Sequence, residues 1–403
     1  MISIEQIQDL FPELEENYKY LHQHPELGFT EKVTFEFVVK KLTEYGIEAK
    51  RLGRTGVIAT IQGGQPGKTV AIRADMDALP IQEECDLPYK SQVEGKMHAC
   101  GHDAHTAMLL CAGQYLNEHK DELNGSVRLI FQPAEEGPAS MDLLAEIAAE
   151  GGSNLGGAAS MVKYGALEGV DACFALHVLS ANPVGTFGIT HDRATASSDV
   201  FELTIHGKGG HSSMPNTAVD PLGAMAAIIE AYNALTAREI DPMDCCTLSI
   251  GAVKAGEAWN VIPDSAYMTG GLRAFSNNTR DYIFKRLKEI AEGICTAHRC
   301  TATFVRHEGY APTINAPEIS MEMLEVGKKL FGEDKVVMID KPMMGSEDVG
   351  YYFQEVPGGF GWLGSAPAEG PVPQHNPKFR VALEALHNGV LFHVNMVQDY
   401  LNK

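Results

Sequence analysis

Within residues 97–105, "MHACGHDAH", the chain places His98, Cys100, His102 and His105. Imidazoles and a thiolate packed this closely are ligands for a borderline-soft divalent cation. Cys100 and His102, two apart, project to one side of an extended segment, and a thiolate can bridge two cations. Other segments carry related groups. "RADMD" holds Asp75 and Asp77, "FQPAEEG" holds Glu135 and Glu136, "FALHV" holds His177, and "PVPQHNPKF" holds His375. Glu135 and Glu136 are adjacent, so in extended chain they point opposite ways. One can bind a cation while the other faces the water that the cation activates. Such activation takes the pKa of water from about 16 to roughly 7, and a nearby carboxylate completes its deprotonation.

Taken singly, each feature has an ordinary explanation. A Glu–Glu pair is commonly a solvated surface pair, and a histidine in an apolar strand is commonly a satisfied core residue. Asp75 and Asp77 after a strand can cap a turn. Cys100 can be an inert thiol or the nucleophile of a Cys–His hydrolase. Convergence separates these explanations from cation binding, and convergence depends on the elements that carry the residues.

Amphipathic patterns predict helices over 4–22 and 31–45, the second closed by Gly46. "GVIATI" and "TVAIRADMD" read as strands joined by a Gly/Pro turn. A helix over about 103–118, the strand "SVRLIFQ", a short helix near 157–165 and the strand "DACFALHV" follow. Alternation of strands apolar enough to be covered on both faces with helices indicates an α/β domain with a mixed, largely parallel sheet. In such sheets ligands bind at the carboxyl ends of the strands, which is where Asp75, Asp77, Glu135, Glu136 and His177 fall.

The pattern changes near residue 190. Strand 198–206, helix 221–235, strands 246–254 and 265–274, helix 279–298 and strand 300–306 follow in the order of a ferredoxin-like α+β sandwich. Asp220 and Pro221 make an N-cap and first-turn pair, and Ile283, Leu287, Ile290 and Ile294 form one apolar stripe. Helix–strand alternation resumes from about 318. The expected organisation is a catalytic domain over 1–190 and 311–403 with a domain over 191–310 inserted into it.

Composition bounds the function. The 403 residues, 44% hydrophobic and 21% charged, suit a globular protein of two domains. A net charge of −21 argues against nucleic acid and anionic membrane as partners. No stretch approaches 18 consecutive apolar residues, and "MISIEQIQDLF" lacks the basic start of a secretory signal. Eight cysteines without a C-x-x-C pair do not form a disulfide framework, and Cys111 and Cys173 read as buried thiols. A cytoplasmic enzyme is expected.

The stretches "HQHPELGF", "RADMDALP", "MHACGHDAHTAMLL", "FQPAEEG", "ALHV", "GKGGHSSMP", "NVIPDSA", "GSEDVGYY" and "HNPKF" together resemble the di-metal aminoacylase/carboxypeptidase family, in its amidohydrolase branch, over nearly the whole chain. That branch includes hippurate hydrolases, N-acyl-amino-acid amidohydrolases, N-acetyldiaminopimelate deacetylases and auxin-conjugate hydrolases. The resemblance implies a zinc-peptidase-like catalytic domain whose inserted domain is a lid that carries a homodimer contact. It implies that Cys100, His102, Glu136, His177 and His375 hold two divalent cations, with Cys100 bridging. Zinc suits the thiolate, while manganese, cobalt and nickel suit the remaining ligands. It further implies Glu135 as general base and then acid, Asp77 as an orienting group and His211 as a donor to the tetrahedral oxyanion. Asn260 and Arg273 would hold a substrate carboxylate. His98 and His105 are left as supporting or helix-start residues.

One segment departs from the branch. Residues 138–155, "PASMDLLAEIAAEGGSNL", follow the Glu–Glu pair directly. Ser140 is placed to cap a helix over 141–150, closed by Gly151 and Gly152, with Leu143, Leu144 and Ile147 as its apolar face. It reads as a neutral surface insertion or as a wall of the acyl pocket. The reaction expected is hydrolysis of the amide bond of an N-acyl amino acid. A dipeptidase, carboxypeptidase or N-acetyldiaminopimelate deacetylase would share every part. A nucleophilic Cys100 and a non-catalytic metal- or ligand-binding protein are the alternatives from other classes.

Overall fold

The strand Gln65–Asp75 begins exposed and ends with six buried residues, so it enters the interior point-first with Asp75 at its tip. It pairs in parallel with Asn124–Gln132 on one side and Ala172–Pro183 on the other. The full sheet runs Ala49–Leu52, Gly56–Gln62, Asn124–Gln132, Gln65–Asp75, Ala172–Pro183, Gly358–Ala366, Phe187–Thr190, Val336–Ile339. The first two pairings and that of Gly358–Ala366 with Phe187–Thr190 are antiparallel, and the rest are parallel. The sheet is therefore mixed and mostly parallel. Its central parallel strands bring Asp75 opposite Gln132 and His177 opposite Trp362.

This computed structural model describes residues 1–403. It divides into one unit of Met1–Ala194, Ile314–Pro342 and Asp348–Lys403 and a second of Thr195–Thr313 with Met343–Glu347. In the first unit the helix His102–Glu118 is buried along nearly its whole length, as its apolar residues on every face require. It packs on Phe11–Gln23, Leu383–Leu401 and the strand Gln65–Asp75. Removing a fully buried side chain such as Leu110 from this layer would cost about 2–5 kcal/mol.

The helix expected over 4–22 is shorter. Two 3-10 turns, Ile4–Gln6 and Gln8–Leu10, precede an α-helix over Phe11–Gln23. Pro12 explains the break, since proline fits the first turn of a helix and not its middle.

The second unit has a four-stranded antiparallel sheet in the order Cys246–Ala255, Ser265–Ala274, Asp199–His206, Thr301–His307. The helices Pro221–Glu239 and Asn277–Ala297 cover one face through Met225, Ile228, Ile283 and Leu287. Asp220 caps the first of them through Leu222 N, at 2.8 Å. No helix in either unit is long and apolar enough to cross a membrane.

Candidate metal centre

Five segments of the first unit meet beside the central strands, those of Asp75, of Cys100 to His105, of Glu135 and Glu136, of His177 and of His375. The helix carrying His102 starts at Gly101, whose φ of 93° and approach to Val178 leave no room for a side chain. Cys100 and His102 thus enter beside the strand that bears His177. His375, itself at φ 62°, donates its backbone N–H to Ala99 O at 2.8 Å, which ties the C-terminal loop to the Cys100 segment. Glu135 and Glu136 lie in a bend, not in the extended chain expected, because Ala134 before them adopts φ 52°.

The side chains so gathered form overlapping groups whose ligand atoms lie within 4.8 Å of one another. These are Cys100–His102–His177, Cys100–Glu136–His375, His102–Glu135–Glu136 and Asp75–His102–His105. Cys100 Sγ stands 3.4 Å from His177 Nε2, His375 Nε2 stands 2.9 Å from Glu136 Oε1, and His102 Nε2 stands 3.8 Å from Glu135 Oε2. Both ring nitrogens of His102 are buried and make no hydrogen bond, and Oε1 of Glu136 is buried with the His375 ring beside it. Buried polar atoms are ordinarily satisfied, so a convergent set of unsatisfied donor atoms fits cations.

The surrounding hydrogen bonds fix how the rings present themselves. His177 donates Nδ1–H to its neighbour Val178 O at 2.7 Å, which leaves the Nε2 lone pair toward Cys100. Val178 N–H donates to His105 Nε2 at 2.9 Å, so His105 carries its proton on Nδ1 and gives it to Asp75 at 2.6 Å. Asp75 is held in turn by Arg73 at 2.6 Å. Arg73 also donates to Gln132 and to Asp348, and Asp348 accepts from Gln132 and from Ala158 N. Asp77 accepts from the backbone N–H of Glu135 at 2.8 Å and of Glu136 at 2.9 Å, and lies 3.4 Å from His102 Nδ1.

The electrostatics favour positive charge at the centre. Burial works against the charged form of His102, but Asp75 and Asp77 outweigh it and raise its pKa to about 10. A field that holds a proton on a buried imidazole will also hold a metal cation. Burial likewise opposes ionisation of Glu136, yet His375 and His102 keep its carboxyl below the ordinary range. Burial, then His105, pushes His177 well down, so it is a neutral lone-pair donor. The Cys100 thiol is pushed well up by burial and then by Glu136, Glu135 and Asp75. A nucleophilic cysteine needs electropositive neighbours and a competent base. Cys100 has carboxylates and a weakly basic His177, which disfavours the nucleophile alternative.

All of these groups belong to the first unit. His211, Asn260 and Arg273 belong to the second. His211 is exposed on the short strand Gly210–His211, which pairs with Val261–Ile262, and its Nδ1 accepts from Ser213 N at 3.1 Å. Asn260 accepts Ser212 N–H through its backbone carbonyl. Arg273 lies on the strand Ser265–Ala274, half-buried, with Nη1 making no hydrogen bond. Of the two histidines left as supporting residues, His105 has a defined orienting role. His98 is buried outside every group, with burial pushing it down to about 4.

Sequence reasoning did not single out Arg73, Gln132 and Asp348 as support for Asp75. Each stood in a quoted stretch, "RADMD", "FQP" and "GSEDVGYY", but nothing in the sequence pairs residues 275 apart.

The profile of peptidase family M20/M25/M40 matches residues 71–399. The chain is similar to thermostable carboxypeptidase 1 of Saccharolobus solfataricus, 38% identical over 95% of this chain and 94% of that one. It is 39% identical to the N-acetylcysteine deacetylase of Bacillus subtilis, over 91% of each chain. Among solved structures it resembles the Bacillus subtilis YXEP protein, a dinuclear metal binding peptidase from the M20 family. The TM-score is 0.82 at 34% identity, covering 98% of this chain and 99% of that one.

Proposed function

The chain belongs to peptidase family M20/M25/M40, and from that premise we propose that it hydrolyses the amide bond of N-acyl amino acids, releasing a carboxylic acid and a free amino acid. The observation that carries this reading is the sharing of Cys100 by two cation-competent groups, with Glu135 beside them. Cys100, His102, Glu136, His177 and His375 hold two divalent cations, zinc foremost on account of the thiolate, with manganese, cobalt or nickel compatible. Two such cations, when bound, polarise the scissile carbonyl and acidify water near neutral pH.

The remaining work falls to side chains. Glu135 takes the proton of the attacking water and passes it to the leaving nitrogen. Asp77 keeps Glu135 and Glu136 apart in role by holding both backbone N–H groups and facing His102. His211 donates to the oxyanion, and Asn260 and Arg273 hold the substrate carboxylate. The second unit acts as a lid and dimer contact, and the enzyme works as a cytoplasmic homodimer.

A carboxypeptidase reading is favoured by the similarity to the Saccharolobus solfataricus protein and needs no change to the site. A panel of N-acetyl, N-benzoyl and long-acyl amino acids alongside dipeptides, assayed with each metal, tests the proposal. Preference for dipeptides over every N-acyl amino acid would replace it with the peptidase reading. Full activity after complete removal of metal would end both.

A further inference from the structure

We propose that Glu31 is a positioning residue of the hydrolytic site, acting through the backbone N–H of Ala134 on the turn that presents Glu135 and Glu136. The inference rests on the roles just given to those two carboxylates.

Glu31 stands at the N-cap of the helix Lys32–Glu44, where a carboxylate ordinarily accepts from the first helical N–H groups. Its side chain does not do so. Glu26 does it instead, accepting from Lys32, Val33 and Thr34 N–H at 2.9–3.2 Å. Glu31 is thereby released to turn inward and is fully buried. There Oε1 accepts Ala134 N–H at 2.9 Å, and Oε2 accepts the Thr55 hydroxyl at 2.7 Å. Burying a carboxyl group is costly unless its oxygens are paired, and both are.

What Glu31 holds is a turn that needs holding. Ala134 has φ 52°, a conformation that a residue with a Cβ adopts only when its surroundings impose it. The N–H groups of Ala134, Glu135 and Glu136 are consecutive, and buried carboxylates take all three: Glu31 the first and Asp77 the next two. Successive N–H groups about a left-handed residue form a concavity suited to anions. The far side of the turn is fixed by shape. Gly28 packs so closely on Gly137 and Ala134 that a side chain there would collide, and Gly28 O accepts Ala139 N–H at 2.9 Å. Burial, then the neighbouring Asp77, raises the Glu31 pKa to about 8, so an uncharged group of the same shape should serve.

The test compares Glu31→Ala, Glu31→Gln and Thr55→Val in the full-length protein. Zinc affinity is measured by competition with a chromophoric chelator, and kcat and KM are measured at saturating zinc. Glu31→Ala should bind zinc about 10–100-fold more weakly, the range for groups that support ligands. Its kcat should fall by more than about tenfold with little change in KM, because the proton-transfer group is misplaced and not the substrate. Glu31→Gln can still accept Ala134 N–H through its amide oxygen, while its amide N–H donates to Thr55 Oγ1 in place of the bond the carboxyl accepted, and it should restore zinc affinity and kcat to near wild type. Thr55→Val should move both in the direction of Glu31→Ala. A folded Glu31→Ala that is less stable but unchanged in zinc affinity and kcat would overturn the proposal. If that variant does not fold, an unchanged Thr55→Val would overturn it. Failure of the wild type to cleave any N-acyl amino acid or dipeptide would refute the proposed function, while the zinc measurement would still decide the role of Glu31.

Discussion

The Asp77 carboxylate holds Glu135 by its backbone N–H: Asp77 Oδ1 accepts Glu135 N–H at 2.8 Å while its Oδ2 accepts Glu136 N–H at 2.9 Å. One carboxylate therefore sets the direction of two others. Adjacent glutamates with their peptides pinned this way cannot exchange places when one is mutated. Their roles should separate cleanly.

Glu135→Gln should retain about two metal ions per chain and lose at least about a hundredfold in turnover, the scale of a missing general base. Glu136→Gln should lose metal instead, since its carboxylate is buried among Cys100, His102 and His375. Metal analysis of both purified variants checks this. Equal metal content in the two would contradict the division of roles.

The inserted segment supports the same turn from beneath. Its helix, Met141–Ala149, is capped by the Ser140 hydroxyl on Leu143 N, and Leu144 and Ile147 pack on Phe29 and Ala134. Leu143 and Glu150 also line a cleft of about 870 Å³ with Phe29, Arg51 and Tyr164, and none of the cation-binding residues lines it. A neutral surface insertion would tolerate change, but this one covers Ala134. Ile147→Ala should lower stability by about 2–3 kcal/mol, toward the low end for a small satellite cluster. Denaturant unfolding measures it. Replacing 138–155 with a short glycine turn should then also lower turnover, and unchanged turnover would return the segment to the neutral reading.

Much of this was legible in the sequence, for local reasons. Ser140 and Gly151 bracket the inserted helix by ordinary capping chemistry, and a strand tip places Asp75 and Asp77 without knowledge of any contact, whereas His177, expected at a strand end, lies in the middle of Ala172–Pro183. What escaped has a common cause. The turn at Ala134 and Glu135 is held by Glu31, 103 residues before Ala134, and by Asp77, 58 residues before Glu135, and no local pattern encodes it. Glu31 itself sits where capping is the ordinary expectation, and only the structure shows Glu26 taking that task. The extended conformation expected for Glu135 and Glu136 failed at the same turn.

A pH effect on stability follows from His22. Burial opposes its charge, but Asp103 at 2.7 Å and Glu83 at 3.2 Å prevail and raise its pKa from 6.5 to about 9. A raised folded-state pKa contributes stability that is complete below the unfolded value and is lost as pH rises through the folded one. The protein should therefore weaken between pH 6.5 and about 9, by at most about 3 kcal/mol from this group. His98, pushed down to about 4, adds nothing in that window. Denaturant midpoints from pH 6.5 to 9.5 should fall in the wild type and stay flatter in His22→Gln. Parallel slopes in the two would show that other groups set the dependence.

On the proposed reading His211 donates to the oxyanion from the second unit. The proposed cation ligands Cys100, His102, Glu136, His177 and His375 lie in the first unit and His211 in the second, so the two contributions can be disabled on separate chains. If the homodimer shares its sites, with His211 of one protomer serving the cations of its partner, Glu135→Gln and His211→Ala are each inactive alone. In a mixed dimer one site then combines two defects. The other combines native Glu135 with native His211 and is intact. Random exchange makes half of the dimers mixed, with one good site of two, so activity should climb toward about a quarter of wild type. If His211 serves its own chain, every site in every mixed dimer keeps one defect. Subunit exchange is followed independently by mass or by a fluorescent label on one variant. Exchange without recovery would refute the shared site and leave His211 acting within its own protomer. Recovery that tracks exchange would make dimerisation a condition of catalysis, and dilution below the dimer dissociation constant should then abolish turnover while leaving zinc bound.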